Sequence, residues 1–150
     1  MAESSTNVIA NLRQWAHGMY TTEAATELLI RASIGTLVAI DRPWIKPTNH
    51  GYWIDFGVIT QHLGALSGGE QRLLRIAASI GSDDAPPIRL GEAMTGLDRP
   101  TLQLVLAAVA HAGGSHDQTD LVVDRDGLAT ITKQPSLHPW NEQTRPTGRC

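Results

Sequence analysis

Two stretches of this sequence lie over one another at an offset of 31 residues, GALSGGEQRLLRIAA on TGLDRPTLQLVLAAV, bringing Leu66 onto Leu97, Ser67 onto Asp98 and Leu73 onto Leu104. Each reads as a short helix, a tight turn, a capping residue and a longer apolar helix. Ser and Asp are favoured at the N-cap because their side-chain oxygens take up an amide that the first turn leaves without a partner. Pro100 suits a first turn, where its missing N–H costs nothing. Two copies are too few for a solenoid, so they are expected to pack as paired helical hairpins around one core.

The flanking sequence supplies more helix. Residues 7–17 place Val8, Ile9, Leu12, Trp15 and Ala16 on one side of a 3.6-residue period, and residues 22–33 do the same with Ala25, Leu28, Leu29 and Ala32. Thr22 is the expected cap of the second helix, and Glu27 and Arg31 are spaced to pair along it. Thr36–Ile40 and Tyr52–Ile54 are rich in β-formers and predict a loose hairpin around the loop DRPWIKPTNHG. Val58, Ile59, His62 and Leu63 share the face of a further helix opened by Asp55. Gly64 and Gly81 are expected to stop helices, and SDDAPP at 82–87 is a linker no helix crosses. Because TLQLVLAAVAHA is apolar almost all round, that helix is expected at the centre of the core. LVVDRDGLATIT predicts a hairpin at 121–132, with Gly127 in the left-handed conformation of a bulged turn. The sum is a mainly α (α+β) fold, a compact bundle of about five helices with one or two short hairpins. It comprises a flexible N-terminus at 1–5, a single globular domain at 6–133 and a flexible Pro-rich tail at 134–150.

Composition bounds the function. With 150 residues, 41% hydrophobic and 18% charged, the chain is sized for one folded domain, and a single cysteine rules out a disulfide framework. A net charge of −3 argues against a dedicated basic nucleic-acid binder. The first residues carry no basic cluster followed by an apolar run, and no stretch is long enough to span a bilayer, so a cytoplasmic protein with no membrane partner is expected. Ten arginines stand against two lysines, Lys46 and Lys133. With abundant Ala and Gly, this resembles the small proteins of actinobacteria and their phages.

Locally, LSGGEQRLLRIAAS resembles the signature motif of ABC-type ATPases, and LGEAMTGLD resembles that family's Walker B end and D-loop. The resemblance spans residues 66–98, under a quarter of the chain. It implies that Ser67, Gly68 and Gly69 clamp a γ-phosphate, that Glu92 is the catalytic carboxylate and that Asp98 is the D-loop acid. The departures are substantial: neither lysine follows a glycine, so there is no Walker A loop, and Gly91 stands where the Mg²⁺-linked aspartate belongs. The same residues also satisfy a capping box, with Ser67 accepting from the amide of Glu70 and Glu70 reaching back to the amide of Ser67. On that basis the chain is not expected to be an enzyme and no cofactor is expected. Only as a degenerate fragment, with a partner supplying Walker A, would it complete a nucleotide site.

Other side chains carry candidate roles. Gln71, Arg72 and Arg75 share the outward face of the Ser67 helix, which follows TQHLG in a loose helix-turn-helix pattern able to enter a DNA groove. Trp44, beside a Pro-rich loop, and Trp140, beside Pro139, are candidate partner anchors. His111, His116 and Asp117 cluster around a Gly-Gly turn with metal-capable side chains, without the second spaced ligand set that would make a metal expected. The leading expectation is a non-catalytic interaction protein that binds a macromolecular partner through the Arg72/Arg75 face or the tryptophan-bearing loop and tail. The second is a helix-turn-helix-like DNA-binding module.

Overall fold

The computed structural model describes residues 5–141. Its described part has five α-helices, α1 Ser5–Ala16, α2 Tyr20–Arg31, α3 Gly68–Gly81, α4 Leu90–Met94 and α5 Arg99–Ala112. Two antiparallel hairpins accompany them, β1 Ile45–Thr48 with β2 Gly51–Ile54, and β3 Thr119–Val123 with β4 Ala129–Lys133. The mainly helical α+β class and the C-terminal hairpin are as the sequence predicts.

The centre of the bundle is α2. Ala24, Ala25, Leu28 and Leu29 are fully buried on it, and α3 and α5 each pack against it far more extensively than against one another. Its alanines let both neighbours approach closely, which bulkier side chains would prevent. The expectation that α5 occupies the centre is corrected. α5 buries Val105, Ala107 and Ala108 and leaves Leu102, Leu106 and Val109 exposed. Apolar character all round shows that a helix has no natural water face; it does not say which sides the rest of the chain covers. α2 reaches the centre despite its carboxylates because Glu27, at its edge, accepts hydrogen bonds from Arg13 of α1 and from Arg31.

α3 and α5 begin as the repeat predicts. Leu66 N–H bonds to Leu63 O at 3.1 Å and Leu97 N–H to Met94 O at 3.4 Å, the same turn at the same offset. Ser67 Oγ then accepts from Glu70 N–H at 3.2 Å, and Asp98 Oδ1 accepts from Thr101 N–H at 2.8 Å. The return arm of the capping box differs from expectation, because the Glu70 carboxylate accepts from the Ser67 hydroxyl at 2.8 Å instead of from its backbone amide. Thr22 is not a cap: α2 starts earlier, after Met19, and Thr22 is buried within its first turn.

Gly81 is the last residue of α3, and it does not stop the helix by a left-handed turn. A Cβ there would come within 2.7 Å of the Phe56 ring, so glycine is required for the contact between α3 and the 3-10 segment Phe56–His62. That segment replaces the predicted α-helix after Asp55. The predicted strand at 36–40 is likewise absent. Ala32–Val38 is an irregular 3-10 segment that turns left-handed at Ser33, Ile34 and Gly35, with φ of 52°, 54° and 77°. The partner of β2 is instead β1, drawn from the expected loop, with Ile45 opposite Ile54 and Pro47 tolerated at the edge of a two-stranded sheet.

In the second hairpin Gly127 has φ 79° as expected, and Asp124 Oδ1 accepts from the amides of Asp126 and Leu128 at 2.9 Å each. The chain after it does not leave the body at residue 134, where the tail was expected to begin. Gln134 N–H bonds to Gln118 O at 2.8 Å, Leu137 N–H to Ser115 Oγ at 3.2 Å, and Arg31 donates to Asn141 O at 2.7 Å. The remaining tail, 142–150, and most of the expected flexible N-terminus lie outside the described residues.

Candidate functional site

The two cap motifs meet. Ser67, Gly69 and Glu70 of one, and Asp98 and Thr101 of the other, line a groove of about 580 Å³ with Arg31 at the end of α2. α2 therefore runs antiparallel to both helices, and its negative C-terminal end lies beside their positive N-terminal ends. Asp98 is held below the usual carboxylate range, first by its hydrogen bonds from Thr101. Within this groove the Ser67 hydroxyl is already given to Glu70.

Of the residues named by the ATPase resemblance, the structure brings Ser67, Gly69 and Asp98 together. Gly68 opens α3 beside them. Glu92 lies apart, on α4, in a different hollow of about 540 Å³ shared with Arg72, Arg75 and Arg89. No strand leads to it; the segment around Glu92 is helical.

Arg72 and Arg75 are exposed on α3 as the period predicts. The segment carrying Arg89 and α4 folds alongside them, and a Cβ on Gly96 would lie 2.9 Å from Arg72 Nη1. Gln71 does not face outward freely, since its amide donates to Leu66 O at 3.0 Å. The segment preceding α3 is a 3-10 helix, so the element expected to begin a helix-turn-helix is not an α-helix.

The Trp44 anchor is corrected, and Trp140 is half-buried. Trp44 is 1% exposed and donates its indole N–H to Leu37 O at 2.8 Å, which places it in the core and out of a partner's reach. Trp140 packs against the core, with the Arg31 guanidinium 5.3 Å from its ring centre and His111 at 6.2 Å. Pro-rich flanks suggested surface loops; the Leu37 carbonyl that Trp44 bonds lies in the irregular 3-10 segment, and Arg31 and His111 reach Trp140 only through the fold.

At the opposite end of α2 from the groove, Glu23 accepts or shares a proton with His111 Nε2 at 2.8 Å, and the His111 and His116 rings stack at 4.0 Å, 10° from parallel. Burial pushes Glu23 up, but hydrogen bonds from His111 and from the Gly18 amide outweigh it and hold the carboxyl below its usual value. Asp117 does not join this group of ligand-capable atoms. It accepts from the Tyr20 hydroxyl and lies 3.6 Å from Lys133, and the Tyr20 bond is the main cause of its lowered pKa and of the raised pKa of Tyr20. The expected trio of His111, His116 and Asp117 thus becomes Glu23, His111 and His116. Glu23 was missed because 88 residues separate it from His111 and no spacing rule links them.

Among the described residues, large apolar side chains are exposed on β3, β4 and α5. In the register of β3 and β4, Leu121 faces Ile131 and Val123 faces Ala129, which puts these four side chains on one face of the ribbon, with Thr119 and Lys133 at its end. Asp120, Val122, Thr130 and Thr132 take the other face. Leu121, Val123 and Ile131 are 61%, 59% and 73% exposed. On α5, Leu102, Leu106 and Val109 follow the i, i+4, i+7 spacing of a single stripe and are also exposed. Between Arg99 and His111 this helix carries no charged residue. Among the described residues, no helix is long and apolar enough to cross a membrane. No protein-family model, curated protein or solved structure matches the chain.

Proposed function

We propose that this chain is a non-catalytic interaction module that binds another protein, the partner laying an uncharged, apolar face on the β3–β4 ribbon and the α5 stripe. The observation that carries this reading is the largely apolar face of the hairpin, Leu121, Val123, Ala129 and Ile131, which the other described residues leave exposed. A two-stranded hairpin is marginal in water by itself, and a ribbon that puts four of its five apolar strand residues on one face, with Val122 on the other, is built to lie on something. The absence of charge along α5 points to a protein surface, since a nucleic acid is held through its phosphates by cations. This reading moves the interaction surface from the Arg72/Arg75 face and the tryptophans to the hairpin and α5.

A DNA-binding role is the second reading. It draws support from Arg89, which joins Arg72 and Arg75 around one hollow, and is opposed by Glu92 in the same place. The fragment of an ABC-type ATPase is a third. It draws support from Ser67 and Gly69 lining an open groove, and is opposed by the Glu70 carboxylate on the Ser67 hydroxyl.

Capture from cell lysate with tagged chain, with and without nuclease, separates the three when run on variants. The proposal expects a nuclease-resistant protein that is lost with Ile131→Lys or Leu106→Lys and kept with Arg72→Ala/Arg75→Ala. A partner lost on nuclease treatment and with the arginine variant would establish the second reading instead. A partner carrying a Walker A motif, lost with Ser67→Ala, would establish the third.

A further inference from the structure

We propose that Glu23, His111 and His116 form a binding site for a divalent transition-metal ion, with zinc the metal best suited to the donor set. One ligand-capable atom from each lies within 4.8 Å of the other two, and all three side chains are half-buried. They come from three separate elements: the first turn of α2, the last turn of α5 and the short 3-10 segment Ser115–Asp117 that follows it. The chain reverses between the two histidines at Gly114, whose φ of 73° a side chain rarely adopts and whose Cβ would lie 3.2 Å from the Tyr20 ring. The reversal stacks one imidazole on the other.

A second observation sets this cluster apart from an ordinary surface ion pair. Nδ1 of His116 is buried and has no hydrogen-bond partner among the described residues. Burying an imidazole nitrogen unpaired is costly, and a metal bound at His116 supplies one remedy, directly at that nitrogen or by turning the ring so that it meets a partner. Tyr20 lies edge-on to His116 at 4.8 Å and Trp140 lies 6.2 Å from His111, so aromatic rings wall the cluster on two sides.

The donor chemistry selects the ion. Two imidazoles and one carboxylate are a borderline nitrogen–oxygen set that suits zinc, whereas calcium and magnesium require mostly oxygen ligands. Three protein ligands leave the fourth position of a tetrahedron to water. Metal–ligand bonds of about 2.0 to 2.2 Å place tetrahedral donors about 3.3 to 3.6 Å apart, so Glu23 Oε1 and His111 Nε2, now 2.8 Å apart, must separate to admit the ion. That movement breaks the Glu23–His111 hydrogen bond and turns the two rings out of their parallel stack.

Titration of the purified chain with Co²⁺, followed by visible absorption, and with Zn²⁺, followed by calorimetry, tests the site. The expected result is one equivalent of bound metal, with a cobalt d–d band that Zn²⁺ displaces. Glu23→Gln and His116→Ala should each bind at least about 10-fold more weakly, the scale of loss seen even for outer-shell partners. His62→Ala, at an exposed histidine away from the cluster, should bind as the wild type does. Circular dichroism checks that each variant is folded; if His116→Ala is not, Glu23→Gln, which keeps the side-chain shape, carries the comparison. Absence of a cobalt band in the folded wild type, or equal affinity in the wild type and the folded variants, would overturn the proposal.

Discussion

Leu121 of β3 stands directly opposite Ile131 of β4, and both side chains are more than half exposed. A directly opposed pair on one face is the stabilising unit of a ribbon, worth about 0.2 to 1 kcal/mol. Here the pair forms the middle of an apolar surface that the rest of the described chain leaves uncovered. The account of this protein as an interaction module rests on that relationship.

Ile131→Lys should therefore cost the isolated chain no more than about 1 kcal/mol, the worth of the cross-strand pair it removes. Equilibrium denaturation measures it. A large loss would mean that Ile131 is buried against the body in solution.

Gly81→Ala should be destabilising by about 1 to 3 kcal/mol, the usual cost of overpacking, because the added methyl meets the face of Phe56. Gly64→Ala, with nothing within 4 Å of its added Cβ, is the matched control and should be close to neutral. The difference in urea midpoint between the two reports the contact.

Ser67→Ala should cost about 0.5 to 2 kcal/mol through loss of the α3 cap. Under the interaction reading it leaves partner capture unchanged. Impaired capture together with loss of nucleotide binding would favour the ATPase-fragment reading.

Acid stability should depend on Glu27. Burial pushes its pKa up, but hydrogen bonds and charge from Arg13 and Arg31 outweigh burial and bring it below the ordinary 4.5. A carboxyl with a depressed folded pKa contributes stability that is full above its unfolded pKa and is lost as pH falls through the folded value. Stability of the wild type should thus decline below about pH 4.5, and Glu27→Gln should show a shallower decline over the same range, in urea titrations at stepped pH.

Much of the fold was legible because its signals are local. An N-cap joins a side chain to an amide three residues on, so Ser67 and Asp98 could be read directly, as could the Asp124–Gly127 turn. What could not be read was which neighbour covers which face. α5 carries the stronger apolar pattern, yet α2 takes the centre because alanine permits close packing on two sides and Arg13 neutralises Glu27 from another helix. Trp44 looked exposed beside prolines because the carbonyl it bonds, that of Leu37, lies in a segment whose backbone no propensity rule describes. Thr36–Ile40 has β-forming composition but follows the left-handed residues Ser33–Gly35, which turn the chain away from a strand. Of the candidate site, His111 and His116 were legible from their spacing, and Glu23 required the tertiary fold.

Hydrogen–deuterium exchange of the captured complex against the free chain tests the central claim most directly. In the free chain the amides of 119–133 should exchange orders of magnitude faster than those of α2, because the hairpin lacks a covering layer. On binding, protection should rise across 119–133, with that of α3 from Gln71 to Arg75 unchanged. Protection gained on α3 and around Arg89 while the hairpin continues to exchange freely would contradict the account.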